Sequence, residues 1–319
     1  MLYLSNKGGY EMGETSITKA RKITTHAEER RAYWMFVLPA FAIYLFVMAF
    51  PTIFAVYLSL TNYKGGPLFG PKKKALEFVG LQYYKQMFSD KYFWLALKNN
   101  LRIVLVSVLG QIPLGFIMAY LIFRGMIKGK DFFQTVIYLP CVISTVVIGR
   151  LWKAITAPNG VIPDIIRKFN PSYVAQNSSN PMLPVLFVIL WMYTGTYLII
   201  FLANLQKIDT SIIEAAKIDG ATELQALRYI ILPSLSGVIV TSAILAISGS
   251  LKSFDLIYVM TGGGPAKQTY VLSIFMYDTA FSGAPNYPLA NAISIVMCVI
   301  SFVLIGITKA VEKRFGGKE

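Results

Sequence analysis

Six stretches of this 319-residue chain stay apolar over the roughly 20 residues that a helix needs to cross about 30 Å of hydrocarbon. They lie near 35–60, 100–123, 133–156, 183–205, 234–260 and 288–309. A bilayer core offers no water to backbone N–H and C=O groups, so such stretches must satisfy those groups internally, as helices. Composition agrees: 55% of residues are hydrophobic and 14% charged, where a soluble domain carries charge on roughly a quarter. The fold class that follows is all-α, a polytopic membrane protein with six transmembrane helices. The first stretch is too long for a signal-peptide core and no small-residue cleavage site follows it, so a retained anchor is expected.

The net charge of +14 raises nucleic acid as a partner, but its distribution points to the lipid bilayer instead. With six spans both tails share one side. That side, with loops 124–131 and 206–232, holds more Lys and Arg than the longer opposite loops 61–99, 157–182 and 262–287. The positive-inside rule therefore predicts both termini in the cytoplasm, although Lys72, Lys73 and Lys74 work against the bias. The segment before Arg30 is polar and lacks an apolar period, so it is expected to be largely disordered.

Catalytic chemistry has little to work with. His26 is the only histidine, and Cys141 and Cys298 fall inside apolar stretches as packing residues rather than a disulfide or metal pair. Thr261 to Tyr270, "TGGGPAKQTY", lacks the Gly-Lys-Ser/Thr of a phosphate loop and reads as a glycine turn ended by Pro265. Asn177-Ser178-Ser179 matches a glycosylation sequon by coincidence of composition. Val79 to Asn100 interleaves aromatics with charges, as interfacial helices do, with Ser89 or Asp90 placed to cap a second short helix.

One polar interruption stands out. "SIIEAAKIDGATELQALRYIILP", Ser211 to Pro233, opens on Ser211-x-x-Glu214, a capping-box pattern, and repeats it at Thr222-x-x-Gln225. Gly220 sits where a left-handed residue ends the first short helix, and Pro233 stops the pattern as the next span begins. The expectation is helix, glycine turn, helix. Ala215 and Ala216 let another surface approach the backbone closely, and Ile212 and Ile213 offer apolar anchors, so the pair suits a groove in a partner protein.

These residues resemble a known motif. Glu214-Ala215-Ala216, Gly220, Ile230 and Leu232-Pro233, at this spacing and with Asp219 before the glycine, match the EAA motif of permease subunits in bacterial ABC importers. Residues 33–311 resemble the carbohydrate-type permeases, the family of the maltose and glycerol-3-phosphate importers. "LPAFAIYLFVMAFPTIFAVYLSLTNY", "YLPCVISTVVIGRLW" and "FDLIYVMTGGGP" occur in the family's order. The resemblance implies a type I ABC importer permease fold in the bacterial inner membrane. It divides the chain into a cytoplasmic tail 1–32, a permease domain 33–311 with coupling helices 211–233, and a cytoplasmic tail 312–319. It implies as partners a second, different permease subunit, two cytoplasmic ATPase subunits that hold the ATP and Mg, an external solute-binding protein and a carbohydrate substrate. No cofactor belongs to this chain and no catalysis of its own is expected. The motif helices are implied to sit in a cleft of the ATPase and transmit its closure, with Glu214 at the motif's charged position and Gly220 at its hinge.

Polar residues within spans are costly and usually face a watery cavity. Ser248, Lys252 and Asp255 recur at helical spacing in the fifth span, where the last two are placed to pair at i, i+3. Trp191 and Thr194 share one face of the fourth, Tyr193 and Tyr197 an adjoining one, and the sixth adds Asn291 and Ser294. Aromatic faces with hydroxyls suit sugars, and these nine residues are the expected substrate path. A polyol phosphate is an alternative solute. An ion-coupled secondary transporter is an alternative class, disfavoured because no convincing internal repeat is found.

Overall fold

The computed structural model describes residues 14–63, 65–66, 76–170 and 181–315, with the side chains of 14–27, 314 and 315 left aside. Lys72, Lys73 and Lys74, the sequon at Asn177 and the side chain of His26 lie outside the described residues.

Two units result. The first, Met1–Tyr57, is described as α1 (Glu14–Tyr44), a π-helical turn (Leu45–Ala49) and most of α2 (Phe50–Ser59). Helix already begins at Glu14, so 14–30 is not the disordered segment expected. Nucleation is the costly step of helix formation, and a long apolar helix supplies the nucleus from which a polar sequence can propagate. Candidate span Glu28–Ser59 buries only 6% of its apolar window, and Phe36 and Phe46 are 79% and 77% exposed. Phe46, Phe50, Phe54 and Tyr57 stack along one face. Such exposure is tolerated only in apolar surroundings.

The second unit, Leu58–Glu319, starts with α3 (Gln82–Ser89) and α4 (Lys91–Val106). Asp90 caps α4 by accepting from the Tyr92 N–H at 2.8 Å. The capped helix is not short: it continues through a π-helical turn (Ser107–Gln111) into α5 (Ile112–Phe123), a candidate span Lys91–Phe123 of 33 residues. After α6 (Lys130–Val142), α7 (Thr145–Thr156) and α8 (Val161–Phe169) comes α9 (Met182–Leu205). The chain then forms α10 (Thr210–Ile218), α11 (Glu223–Ala226), a π-helical turn (Leu227–Ile231) and α12 (Leu232–Ser234). It ends with α13 (Ser236–Leu251), α14 (Asp255–Thr261), α15 (Leu272–Phe281) and α16 (Tyr287–Phe315).

Four helices of the described residues are long and apolar enough to span, or up to six if each of two bent pairs counts as one. The third and fifth stretches, expected as single helices, are the broken ones. α6 and the segment Thr145–Phe169 meet at 96°. Pro140 lacks the N–H that would continue the ladder, and Ile143 and Ser144 are extended with ψ 141° and 130°. Residues 223–234 and α13 meet at 66° around Leu235, and the fifth stretch breaks again at Lys252–Phe254.

α9 is the axis of the core. Its first half, including Val185 and Met192, packs with Met87, Phe93, Ile148 and Ile257. Its second half, including Leu198, Phe201 and Leu205, packs with Ile112, Ala119, Ile231 and Leu235. A helix hydrophobic all round belongs inside, and α9 is that helix. α5 crosses it closely at Gly115, where an added Cβ would sit 2.6 Å from the Tyr197 Cβ and 2.9 Å from the Leu198 N. Gly115→Val is therefore expected to lower the melting temperature and the membrane level of the protein, since overpacking costs about 1–3 kcal/mol. Immunodetection in membranes and thermal unfolding of the detergent-solubilised chain measure it; parent-like values in both would refute the close crossing.

Candidate functional site

Two places combine polar residues with unusual backbone. At the first, the break between α13 and α14 opens onto a cavity of about 320 Å³. Irregular backbone at membrane depth is tolerated where it lines a cavity, because only there can its freed N–H and C=O groups find partners. Lys252, Ser253, Phe254 and Asp255 from the break, Tyr193, Thr196 and Tyr197 from α9, Thr145 from α7, and Ser107 and Gln111 from the π-helical turn all line it.

Of the expected path residues, Tyr193, Tyr197, Lys252 and Asp255 meet there. Lys252 and Asp255 share no helical turn, since the first follows α13 and the second opens α14, and no ion pair joins them. Ser294 lines an adjoining cavity of about 360 Å³ that shares Lys252 and Phe254 with the first. Trp191 lies elsewhere, in edge contact with Trp152 at 5.6 Å, and the buried Thr194 hydroxyl donates to the Leu190 carbonyl at 2.5 Å. Ser248 and Asn291 line neither cavity. The sequence reading passed over Gln111, whose buried side-chain amide donates to the Ile189 carbonyl at 2.8 Å. The signal was available: a glutamine inside an apolar span obeys the rule already applied to the later spans.

The second place is the stretch 209–235. The first short helix is capped by Asp209, whose Oδ1 accepts from the Ser211 N–H at 2.9 Å, and not by the Ser211–Glu214 box expected from the sequence. That bond from the Ser211 backbone holds the Asp209 carboxyl below the usual carboxylate range. Asp209 captures the role because its carboxylate is the stronger acceptor and precedes the helix. The second box forms: Thr222 N donates to Gln225 Oε1 at 2.7 Å, and Gln225 N to Thr222 Oγ1 at 3.3 Å. Between the helices Gly220 takes φ +84°.

Glu214 and Ala215 on α10, with Asp219, Gly220 and Pro233, are exposed; Ala216, Ile230 and Leu232 are half-buried. Ile213 is turned inward into the core beside Leu205, so it offers no anchor, whereas Ile212, Ile218, Leu224 and Tyr229 stay exposed. Asp219, Gly220, Gln225, Tyr229 and Ile230 border a shallow cleft of about 330 Å³ between the two helices. Glu223 ties this element to the end of α5: its carboxylate accepts from Arg124, from Lys217 at 3.1 Å and from the Tyr120 hydroxyl at 3.4 Å. Among the described residues no cluster of three or more metal-ligating side chains occurs.

Residues 111–317 match the family model described as binding-protein-dependent transport system inner membrane component. A probable ABC transporter permease protein of Pyrococcus horikoshii is 30% identical over 85% of this chain and 92% of its own length. The lactose transport system permease protein LacF of Rhizobium radiobacter is 31% identical over 88% of this chain and 95% of its own. A chain in the crystal structure of a bacterial alginate ABC transporter, bound to a periplasmic protein carrying an alginate pentasaccharide, superposes with a TM-score of 0.75. It is 21% identical and covers 92% of this chain and 98% of its own, a likeness of fold. The chain thus belongs to the binding-protein-dependent transport system inner membrane component family: it is a membrane permease component of an ABC-type importer, a transport protein and not an enzyme.

Proposed function

We propose that this chain forms half of the translocation path of an ATP-driven, binding-protein-dependent importer of sugars or oligosaccharides in a bacterial inner membrane. The observation that carries the proposal is the cavity at the α13–α14 break, which gathers Tyr193, Tyr197, Gln111, Lys252 and Asp255 from separate helices. Tyrosine rings offer faces for sugar C–H surfaces, and amide, hydroxyl and charged groups offer hydrogen bonds to sugar hydroxyls. Each bent helix pair counts as one span in this reading, giving six, with both termini cytoplasmic. The path also takes in Ser294 through the adjoining cavity.

The α10–α11 element and the turn after it form the coupling site, with the exposed Glu214, Ala215, Asp219, Gly220 and Pro233 presented to an ATPase subunit and the half-buried Ala216, Ile230 and Leu232 completing the set. Two such subunits hold ATP and Mg, a second permease completes the path, and an external binding protein delivers the solute. A relative named for lactose transport and a structural neighbour from an alginate importer support a carbohydrate. Lys252, in the cavity and without an ion-pair partner among the described residues, supports a second reading, a phosphorylated polyol.

Co-purification from the native membrane tests the assembly: an ATPase and a different permease should co-elute with this chain. A panel of labelled mono-, di- and oligosaccharides and of polyol phosphates, tested on the co-expressed binding protein and then for uptake, separates the two solute classes. Binding of neither class would sink both readings.

A further inference from the structure

Two adjacent asparagines in α4 reach different parts of the molecule. Asn99 and Asn100 are fully buried, in the same helix that becomes a candidate span. Successive helical side chains point about 100° apart, so neighbours in sequence can bind separate elements. Asn99 Nδ2 donates to the carbonyls of Gln268 and Tyr270, both at 2.8 Å, and its Oδ1 accepts from Arg102 at 3.1 Å. Asn100 Nδ2 donates to the Ser250 carbonyl at 3.0 Å, and its Oδ1 accepts from the Leu272 N–H at 2.8 Å.

The partners explain what these bonds do. Ser250 stands in the last turn of α13, where its carbonyl also accepts from the Ser253 N–H at 3.3 Å, and it lines the cavity beside the break. Gln268 and Tyr270 belong to the segment that joins α14 to α15, whose residues 265–268 are exposed, and Leu272 is the first residue of α15. A third tie joins the cavity wall to the first turn of α15: the Ser273 hydroxyl donates to the Ser253 carbonyl at 2.5 Å. Asn100 is thus a single side chain bonded at once to the cavity wall and to the start of α15, where the joining segment ends.

We propose that Asn99 and Asn100 are positioning residues that lock the segment 265–272, exposed at 265–268 and buried at 269–272, to the cavity wall at 250–255, so that the two move as one body during transport. The proposal rests on the reading of the cavity as the solute path. Neither asparagine touches solute; both act through the wall they hold. Loss of the Asn100 bonds strands the buried Leu272 N–H and uncouples what they joined, because the stranded group then seeks another partner.

The test uses the assembled importer, with Cys141→Ala and Cys298→Ala as background and two separate reporters, Ser253→Cys in the wall and Gln268→Cys in the exposed segment. A membrane-impermeant maleimide measures labelling rates without nucleotide and after trapping with ATP and vanadate. With both asparagines intact, the two rates should shift together on trapping, by about tenfold, the size expected when such buried bonds set an equilibrium. In Asn100→Leu, which keeps the branched shape and removes both bonds, the Gln268 reporter should still shift while the Ser253 reporter no longer follows it. Uptake should fall with ATP hydrolysis retained. Ser273→Ala, a milder cut of the third tie, should weaken the joint shift, and it decides the matter if Asn100→Leu does not assemble.

Reporters that do not shift together in the parent, a Ser253 reporter that no state exposes, or a joint shift surviving in Asn100→Leu would each overturn the proposal. Joint shifts that persist while substitutions at Tyr193, Lys252 and Asp255 leave uptake normal would keep the lock and discard the solute path.

Discussion

Gly220→Val should reduce solute uptake at least about tenfold while the protein stays in the membrane at its normal level. The cause is backbone alone. Gly220 has φ +84°, and an added Cβ there would meet no atom within 4 Å, so no clash contributes. A β-branched residue adopts such a conformation only at a cost of about 1–3 kcal/mol, which a turn between two exposed helices relieves by changing shape. α10 would then leave its orientation relative to α11, and the face carrying Glu214 and Ile218 would no longer fit the ATPase. Gly220→Asn should retain most activity, because asparagine visits the left-handed region more readily. Uptake, membrane immunodetection and co-purification of the ATPase separate the outcomes. Normal uptake with normal ATPase retention in Gly220→Val would reject the coupling role, and loss of the protein would show that the turn serves folding.

Replacing the two cavity charges should give additive losses. Had Lys252 and Asp255 paired along one helix, as the sequence suggests, removing one would be worse than removing both, because an unpaired charge in low dielectric is costly. The break changes this. Lys252 caps the end of α13, whose terminal carbonyls favour a cation, and Asp255 opens α14, whose first N–H groups favour an anion. Each charge is stabilised by its own helix end, by about 0.3–1 kcal/mol and up to ~2 kcal/mol where partly buried. Lys252→Met and Asp255→Asn should each lower uptake, by about tenfold if the charge also contacts solute, and the double variant should show roughly the product. A double-mutant cycle on uptake and on the melting temperature of the purified complex measures the coupling. Rescue in the double variant would restore the paired reading, and normal uptake in all three would remove both residues from the path.

The sequence by itself determined the apolar solvent, the presence of the helices and the short helix–turn–helix at 210–226. Hydropathy over roughly 20 residues depends on no neighbour, so all six apolar stretches appear as helix, whole or broken. Local spacing was enough for the Thr222–Gln225 box and for the left-handed Gly220, because caps and turns are made by residues a few positions apart. Where two local solutions competed, the sequence misled: Asp209 took the cap assigned to Ser211, and helix propagated back to Glu14 through a polar segment.

Only the tertiary structure decided which residues share a space. Hydropathy does not see a break at Lys252–Phe254, since the flanking residues remain apolar, yet the break separates Lys252 from Asp255 and makes the cavity. Which face of α9 looks inward depends on the helices that pack on it, which is why Tyr193 and Tyr197 reach the cavity while Trp191 packs on Trp152. Asn99 and Asn100 bond to residues about 150 to 170 positions away. Partners at that separation are brought together by packing, and no periodicity in the chain encodes them.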